Sequence, residues 1–391
     1  MARYNGDVRH SDPRRILVMM LGDIGDLLLA TPALRLLRDR YPAACIVAMT
    51  KPTTVRVLEG TGLVDGFLPV DKHLFDRPAA TLRPAVLLRL LRSVSEMRRQ
   101  RFDAVVLLHH LVTWWGTLKF AGLSLASGAR LRAGLDNGRG VFLTHRAVDR
   151  GFDAAHESTY WLRVVAAMPG GRPARQPLAE PDRPIFNLTD EAQDRADALL
   201  RSRGLTPGDR MLAIHPGSGA YSVARRWFPD RFAVVADTLA ERHGLRVVLL
   251  GNADERELAD QVAGQMRRPA ANLAGCTALD ELAGVLRRCA LLVGNDSGVA
   301  HMAAAVGTPV AAIFGPFNHN TWHPLGNSLV VRVSPALPCM PCVNRGFKRG
   351  YPEGCPPRYC LQEVTPEMVV AAAEALLDTA PKAVATSGRR T

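Results

Sequence analysis

The chain has 391 residues, of which 47% are hydrophobic and 22% charged, and it carries a formal net charge of +12. This length favours two globular domains over one, and the composition excludes an intrinsically disordered or fibrous chain. The excess of cations favours anionic partners such as phosphates, acidic lipid headgroups or nucleic acid. Residues 1–14 lack the apolar core of a signal peptide, and no apolar run reaches the ~20 residues of a membrane span, so we expect a cytoplasmic protein.

The first half of the chain alternates strand and helix patterns. Apolar runs at residues 15–21, 45–50 and 103–108 predict buried strands. Two helices are predicted between them, LLATPALRLLRDRYP, whose opening we place at Pro32, and the arginine-rich RPAVLLRLLRSVSEMRRQR. Such alternation predicts a parallel sheet with helices on both faces.

The second half repeats the alternation after a proline-rich break at residues 168–184, which we interpret as a linker. Four predicted strands, MLAIHPG, RVVLLG, ALLVG and PVAAIFG, are separated by helical patterns. The predicted architecture is therefore α/β, with doubly wound domains over residues 15–167 and 185–335. The remaining predicted segments are a polar extension (1–14), a four-cysteine segment (336–362), a C-terminal helix (363–378) and a polar tail (379–391).

Three loops of the second half follow predicted strands and carry groups that suit a nucleotide. In GNDSGVAH and HPGSG, glycines and exposed amide groups favour a diphosphate, with paired arginines close behind HPGSG. In GNADERE, an acidic side chain could accept hydrogen bonds from ribose hydroxyls. Helix capping, a core histidine and surface arginines are the alternative explanations of each loop alone. The candidate donor-binding residues are His215, Gly217, Ser218, Arg225, Arg226, Asp254, Glu255, Asn295, Asp296, Ser297, Gly298 and His301.

The equivalent loop of the first half is LGDIGDLLLATPAL. Gly22 and Gly25 permit a tight turn there, and Asp23 or Asp26 could act as a general base if the domains face each other, with helix capping as the alternative. The spacing is not G-x-G-x-x-G, and no acidic residue follows about 20 positions later at the next strand end. These two features argue against a dinucleotide-dependent dehydrogenase.

Together, the loops and their flanking strands resemble the ADP-heptose:lipopolysaccharide heptosyltransferase family, glycosyltransferase family 9. The matching stretches are ILVMMLGDIGDLLLATPALRLLRDRYP, AIHPGSGAYSVARRWFPDRFAVVADTL, VVLLGNADERELA, LAGCTALDELAGVLRRCALLVGNDSGVAHMAAAVGTPVAAIFGP and the C-terminal cysteine segment. The resemblance implies a GT-B fold, in which two Rossmann-like domains face a central cleft, with the donor in the C-terminal half and the acceptor in the N-terminal half.

The resemblance also implies a mechanism. Asp26 would remove a proton from the acceptor hydroxyl, whose oxygen would attack the anomeric carbon with inversion while ADP leaves, and no metal or other cofactor would take part. A basic residue before Trp227 would neutralise the charge of the leaving group, and the acid of GNADERE would hold the ribose. The diphosphate would be held by Asp296, Ser297, Gly298 and His301.

Two positions depart from the family pattern. Ala224-Arg225-Arg226 stands where the family usually has Ser-Lys-Arg, which keeps the charge but changes its shape and reach. Met20 stands where the family commonly has a basic residue. The first departure leaves the identity of the donor open. The second leaves open which residues contact the acceptor or a phosphate.

Four cysteines near the C-terminus, Cys339, Cys342, Cys355 and Cys360, have the spacing of a metal finger. A structural zinc or iron ion, reduced thiols and disulfides are the alternatives that the spacing leaves open. In the family that the chain resembles, one subgroup heptosylates proteins and has a similar segment with an iron-binding finger. The acceptor could therefore also be a protein.

The arginine-rich helix could dock on the anionic inner-membrane surface that holds a lipid-linked acceptor, or it could simply cover the sheet with a solvated basic face. No basic motif interleaved with aromatic residues supports nucleic-acid binding. We therefore expect an inverting, metal-independent glycosyltransferase that moves a heptose or related sugar from an ADP-sugar to a lipopolysaccharide core or another envelope glycan. The alternatives are a protein O-heptosyltransferase, a nucleotide-sugar 2-epimerase and a non-enzymatic nucleotide-binding scaffold.

Overall fold

The computed structural model describes residues 12–70, 84–173, 182–219, 221–350 and 352–379. The chain forms two compact units: unit 1 holds Met1–Asn187, Phe317–Leu325 and Pro341–Pro352, and unit 2 holds the rest. Most of the predicted N-terminal extension and polar tail, the middle of the predicted linker, and Arg83 at the start of the arginine-rich helix lie outside the described residues.

Unit 1 is built on a six-stranded sheet. Its strands are β1 (Arg15–Met19), β2 (Cys45–Thr50), β3 (Gly66–Pro69), β4 (Ala104–Leu107), β5 (Leu131–Asp136) and β6 (His145–Val148). Its longer helices are α1 (Ile24–Arg40), α2 (Pro84–Arg99), α3 (Trp114–Ala126) and α4 (Glu157–Ala166). The strand order is β3–β2–β1–β4–β5–β6, and every neighbouring pair is parallel.

The first helix begins earlier than its sequence pattern indicates. We expected Pro32 at its opening, but α1 starts at Ile24 and Pro32 lies in its interior. A proline has no N–H to donate to the carbonyl four residues back, here that of Leu28. The hydroxyl of Thr31 donates to the Leu28 carbonyl oxygen instead, at 2.6 Å. This side-chain bond satisfies the acceptor that Pro32 leaves open, so the helix runs through the proline.

Unit 2 repeats the plan. Its sheet has strands β7 (Met211–His215), β8 (Arg246–Leu249), β9 (Ala270–Asn272), β10 (Cys289–Asn295), β11 (Val310–Ile313) and β12 (Ser328–Val331), in the order β12–β11–β10–β7–β8–β9 with all neighbours parallel. Its main helices are α5 (Asp190–Ser202), α6 (Pro229–His243), α7 (Arg256–Gln265), α8 (Leu279–Arg288) and α9 (Gly298–Val306). The predicted α/β class with two doubly wound sheets is confirmed.

The C-terminal part of the chain serves both units. It returns to unit 1 with α10 (His319–Trp322) and the antiparallel pair β13 (Val343–Arg345) and β14 (Lys348–Gly350). It ends in unit 2 with α11 (Tyr359–Gln362) and α12 (Pro366–Thr379), which packs on β10, β11, β12 and α6. Among the described residues, no helix is both long and apolar enough to cross a bilayer.

Candidate functional site

Three loops of unit 2 lie side by side because the strands that precede them are neighbours. HPGSG follows β7, GNADERE follows β8 and GNDSGVAH follows β10, and β7 pairs with both other strands. Parallel strands end at the same edge of a sheet, so the candidate donor-binding residues collect at one edge of unit 2. This edge is where open α/β sheets bind ligands.

Glu255 organises two of these loops. Its carboxylate accepts the backbone N–H groups of Ser218 at 2.9 Å and Gly219 at 2.8 Å, and that of Asn252 at 3.1 Å. Burial raises its pKa, but the bond to His215 and these backbone donors outweigh burial and hold the pKa of Glu255 far below its usual range. A charged carboxylate therefore ties GNADERE to HPGSG.

Gly217 is required by the same contact. A Cβ atom at this position would lie 2.2 Å from Oε1 of Glu255, much closer than any real Cβ contact. Only glycine lets the HPGSG backbone lie against the buried carboxylate. Asp254, the other acid of this turn, is exposed, so the two acids predicted for the ribose occupy different environments.

Asn295 joins HPGSG to the end of β10. Its side-chain amide donates to the carbonyl oxygens of Pro216 at 2.7 Å and Gly217 at 3.2 Å, and its Oδ1 accepts the backbone N–H of Trp227 at 2.9 Å. The side chain of Asn295 thus fixes the loop geometry, a function that the sequence pattern alone does not distinguish from ligand contact.

Ser297 lies at the N-cap position of α9, but its hydroxyl contacts Nδ1 of His215 at 3.2 Å and does not cap the helix. The capping alternative weighed from the sequence is therefore wrong for the Ser297 side chain. Gly298 opens α9, and His301 is buried in its first turn. A positive helix end, with a hydroxyl and an imidazole beside it, can bind an anion.

Arg225 and Arg226 both bond to the HPGSG loop. Nη2 of Arg225 donates to the carbonyl oxygen of Ser218 at 2.7 Å, and Nε of Arg226 donates to its hydroxyl at 3.3 Å. Nη1 of Arg225 also lies 3.5 Å from the carboxylate of Asp296. Burial raises the pKa of Asp296, and the guanidinium of Arg225 opposes that rise. Nη2 of Arg226 lies 3.8 Å from Oε1 of Glu255, so the two guanidinium groups together reach all three loops.

The acceptor-side loop of unit 1 follows β1 and opens α1. Asp23 is the N-cap residue, and its N–H donates to Oδ2 of Asp26 at 2.8 Å. A Cβ at Gly22 would lie 2.5 Å from Cβ of Asp26, so glycine is needed for this turn. Gly25 is buried in the first turn of α1. The carboxylate of Asp26 therefore accepts the N–H of the N-cap residue, which orients Asp26 at the start of α1.

Sequence reasoning missed Lys51, which follows β2 beside β1. Its ammonium forms an ion pair with Oδ1 of Asp23, and the lysine side chain is only 9% exposed. The signal was a cation directly after a predicted strand, but a single lysine there has no distinctive pattern.

A second group missed from the sequence is a buried histidine between two acids. Nδ1 of His110 lies 3.0 Å from Oδ2 of Asp149, and Nε2 lies 3.1 Å from Oε2 of Glu157. Burial lowers the pKa of His110, but the carboxylates of Glu157 and Asp149 outweigh burial and raise it to about 9. The resulting cation ties the loop after β4 to the end of β6 and to the start of α4.

The structure does not gather the four cysteines into a set of metal ligands, so it does not confirm the metal alternative. All four residues are described, and the described residues include no group of three or more His, Cys, Asp or Glu side chains placed to hold a metal ion. Cys339 and Cys355 are exposed, whereas Cys360 is buried in the apolar core of unit 2 with Leu361 and Val364. As placed, the four residues do not fit a structural zinc or iron ion, because no three of them come together as ligands. The structure contains no disulfide among its seven cysteines, all of them described.

Comparison with known proteins gives a consistent result. The sequence model of glycosyltransferase family 9 (heptosyltransferase) matches residues 90–350. Lipopolysaccharide heptosyltransferase 3 of Escherichia coli (strain K12) is 27% identical over 316 residues, which are 78% of this chain and 84% of that protein.

Solved structures extend the likeness to the fold. A family 9 glycosyl transferase from Veillonella parvula DSM 2008 superposes with a TM-score of 0.73 at 24% identity, covering 94% of this chain and 98% of that one. The ADP-heptose lps heptosyltransferase II of E. coli gives a TM-score of 0.69 at 22% identity, covering 93% and 98%. These likenesses confirm the predicted GT-B fold class.

Proposed function

Because the chain belongs to glycosyltransferase family 9, the heptosyltransferases, we propose that it transfers a heptose from ADP-heptose to a lipopolysaccharide-core acceptor. The names of its relatives support this donor and this acceptor. The observation that carries the proposal is the convergence of three phosphate- and ribose-compatible loops at neighbouring strand ends of unit 2. Such an arrangement suits a nucleotide diphosphate.

In this proposal the diphosphate lies at the N-terminus of α9. The amide groups of its first turn, the hydroxyl of Ser297 and the imidazole of His301 bind the phosphate oxygens. Gly298 lets the phosphate approach the backbone closely. The contact between Ser297 and His215 orients the hydroxyl beforehand, which lowers the entropy lost on binding.

Arg225 and Arg226 stabilise the leaving ADP. Negative charge develops on the diphosphate as the bond to the anomeric carbon breaks, and guanidinium groups in a partly buried position stabilise that charge strongly. Arg225 is already held by Ser218 and Asp296, so little reorganisation is needed. The ribose hydroxyls bind the acid of GNADERE, Asp254 or Glu255.

On the acceptor side, Asp26 acts as the general base. Its carboxylate takes the proton of the acceptor hydroxyl, the oxygen forms the new bond to the anomeric carbon on the face opposite ADP, and the configuration inverts. The N–H of Asp23 holds the carboxylate of Asp26, and Lys51 balances the charge of Asp23. The reaction requires no metal, and it takes place on the cytoplasmic side of the inner membrane.

The test compares Asp26→Asn with Asp23→Asn in the purified full chain, using ADP-heptose and a heptose-deficient core acceptor. We expect Asp26→Asn to lower kcat by about 10²–10⁴-fold while donor affinity, measured by calorimetry, is unchanged. Asp23→Asn keeps the side-chain volume and the position of Asp26, so its loss of kcat should be much smaller. The product anomer is read by NMR.

Several results would contradict the proposal. Full transfer activity in Asp26→Asn would contradict the assignment of Asp26 as the general base. Retention of the anomeric configuration would contradict direct displacement of ADP. Conversion of the nucleotide sugar to its epimer without an acceptor would favour a 2-epimerase, whereas ADP release that depends on added acceptor excludes one. Loss of transfer in the presence of a chelator would contradict metal independence.

A further inference from the structure

Helix α3 presents a stripe of large apolar side chains to solvent. Trp114, Leu118 and Leu125 are 68%, 62% and 54% exposed, and their spacing places them on one side of the helix. The opposite side packs into the core of unit 1 through Phe120 and Leu123. The helix is therefore apolar on both faces, and one of these faces leaves its large side chains more than half exposed.

Helix α2 extends this surface. Val94 and Met97 face the core of unit 1, so the helix covers the sheet as predicted, while Leu88 and Leu91 are 56% and 55% exposed. The two helices are in contact, and Nε of Arg98 donates to the carbonyl oxygen of Ala126 at the end of α3 at 3.0 Å. We call the exposed side chains of α2 and α3 the α2–α3 face.

The charges beside the α2–α3 face are almost all positive. The guanidinium of Arg139 stacks on the ring of Trp114 at 5.1 Å, and Lys119 is the only charged residue of α3. Glu96, the only acid of α2, lies 3.7 Å from Arg99. The exposed basic residues of α2 are Arg89, Arg92, Arg98 and Arg99.

We propose that the α2–α3 face docks the enzyme on an anionic lipid bilayer. Tryptophan and leucine side chains insert at the level of the headgroups, and neighbouring arginines bind lipid phosphates. A second copy of the chain is a poor occupant, because pairing two such faces would bring like charges together. The inference rests on the proposed function, since a lipopolysaccharide-core acceptor is carried by lipid, and docking would concentrate enzyme and acceptor on one surface.

The test measures sedimentation of the full chain with vesicles of phosphatidylcholine alone or mixed with phosphatidylglycerol. We expect binding to the anionic vesicles that weakens as salt is raised. The double variant Leu118→Glu, Leu125→Glu should bind at least about tenfold more weakly, because it removes two apolar contacts and adds two negative charges that the anionic lipids repel. Val234→Glu is the matched control, because Val234 is 49% exposed on α6 of unit 2 and should leave binding unchanged.

The outcomes are separable. Circular dichroism and thermal unfolding establish that the double variant folds, and transfer to a lipid-free core oligosaccharide should match that of the unaltered chain. Undiminished vesicle binding by the double variant, or no binding by the unaltered chain, would overturn the docking inference. If the unaltered chain self-associates and the double variant is monomeric, the α2–α3 face is a contact between copies of the chain. That result would also overturn the docking inference. Absence of transfer to every acceptor would instead contradict the proposed function and leave the vesicle result standing.

Discussion

Gly22 offers a direct way to displace the proposed base without changing its chemistry. In Gly22→Ala the new Cβ would lie 2.5 Å from Cβ, 2.8 Å from Oδ2 and 3.0 Å from Cγ of Asp26. Ordinary contact begins at 3.4 Å, so the two Cβ atoms must separate by about 0.9 Å. Because the backbone of Asp26 is held in the first turn of α1, part of this movement must be taken up by its carboxylate, which accepts the N–H of Asp23.

A displacement of this size has a large kinetic effect when a group must meet a hydroxyl at hydrogen-bond distance. We expect Gly22→Ala to lower kcat by about 10²-fold, since a misplacement near 1 Å costs roughly that factor. The KM for ADP-heptose should be almost unchanged, because the donor loops belong to unit 2. Steady-state transfer assays with saturating acceptor separate the two parameters.

Gly264→Ala is the matched control, because a Cβ added there in α7 meets nothing within 4 Å. It should leave kcat unchanged. If Gly22→Ala folds normally and retains full kcat, the position of Asp26 does not limit the reaction, and the argument for Asp26 as the base fails.

Two further predictions concern the buried His110 and the two acids of GNADERE. His110 has a folded pKa of about 9, above the roughly 6.5 of an unfolded chain, so its ion pairs contribute stability that is complete below pH 6.5 and lost as pH rises through 9. We expect His110→Gln to be less stable than the unaltered chain by about 3 kcal/mol at pH 6 and by much less at pH 10. Hydrogen exchange of α4 measures this difference, and a difference that does not depend on pH would contradict the assignment. Asp254→Asn should raise the KM for ADP-heptose without changing the melting temperature, whereas Glu255→Gln should lower both affinity and melting temperature, because Glu255 orders HPGSG. Equal melting temperatures for these two variants would contradict that role.

The sequence was sufficient for the central strands and for the chemistry-bearing loops. Strands β1, β4, β7 and β10 are covered on both faces, so they are uninterrupted apolar runs that are recognisable without tertiary information. Strands β3, β5, β6, β9 and β12 were missed because they are only partly buried, which interrupts their apolar pattern. The loop residues were singled out because glycine, arginine and acidic side chains follow three predicted strands of the same half of the chain.

Only the tertiary structure decided what each of these residues does locally. Glu255 and Asn295 look alike as polar residues after strands, yet their partners lie 37 and 79 positions away in the chain, so no local pattern could assign them to ordering HPGSG. The same holds for His110, whose charge depends on Asp149 and Glu157 meeting it from two other elements. Local periodicity determined which segments form strands and helices, whereas the pairing of distant segments determined where charge is buried, because burial and its compensation are properties of the packed chain.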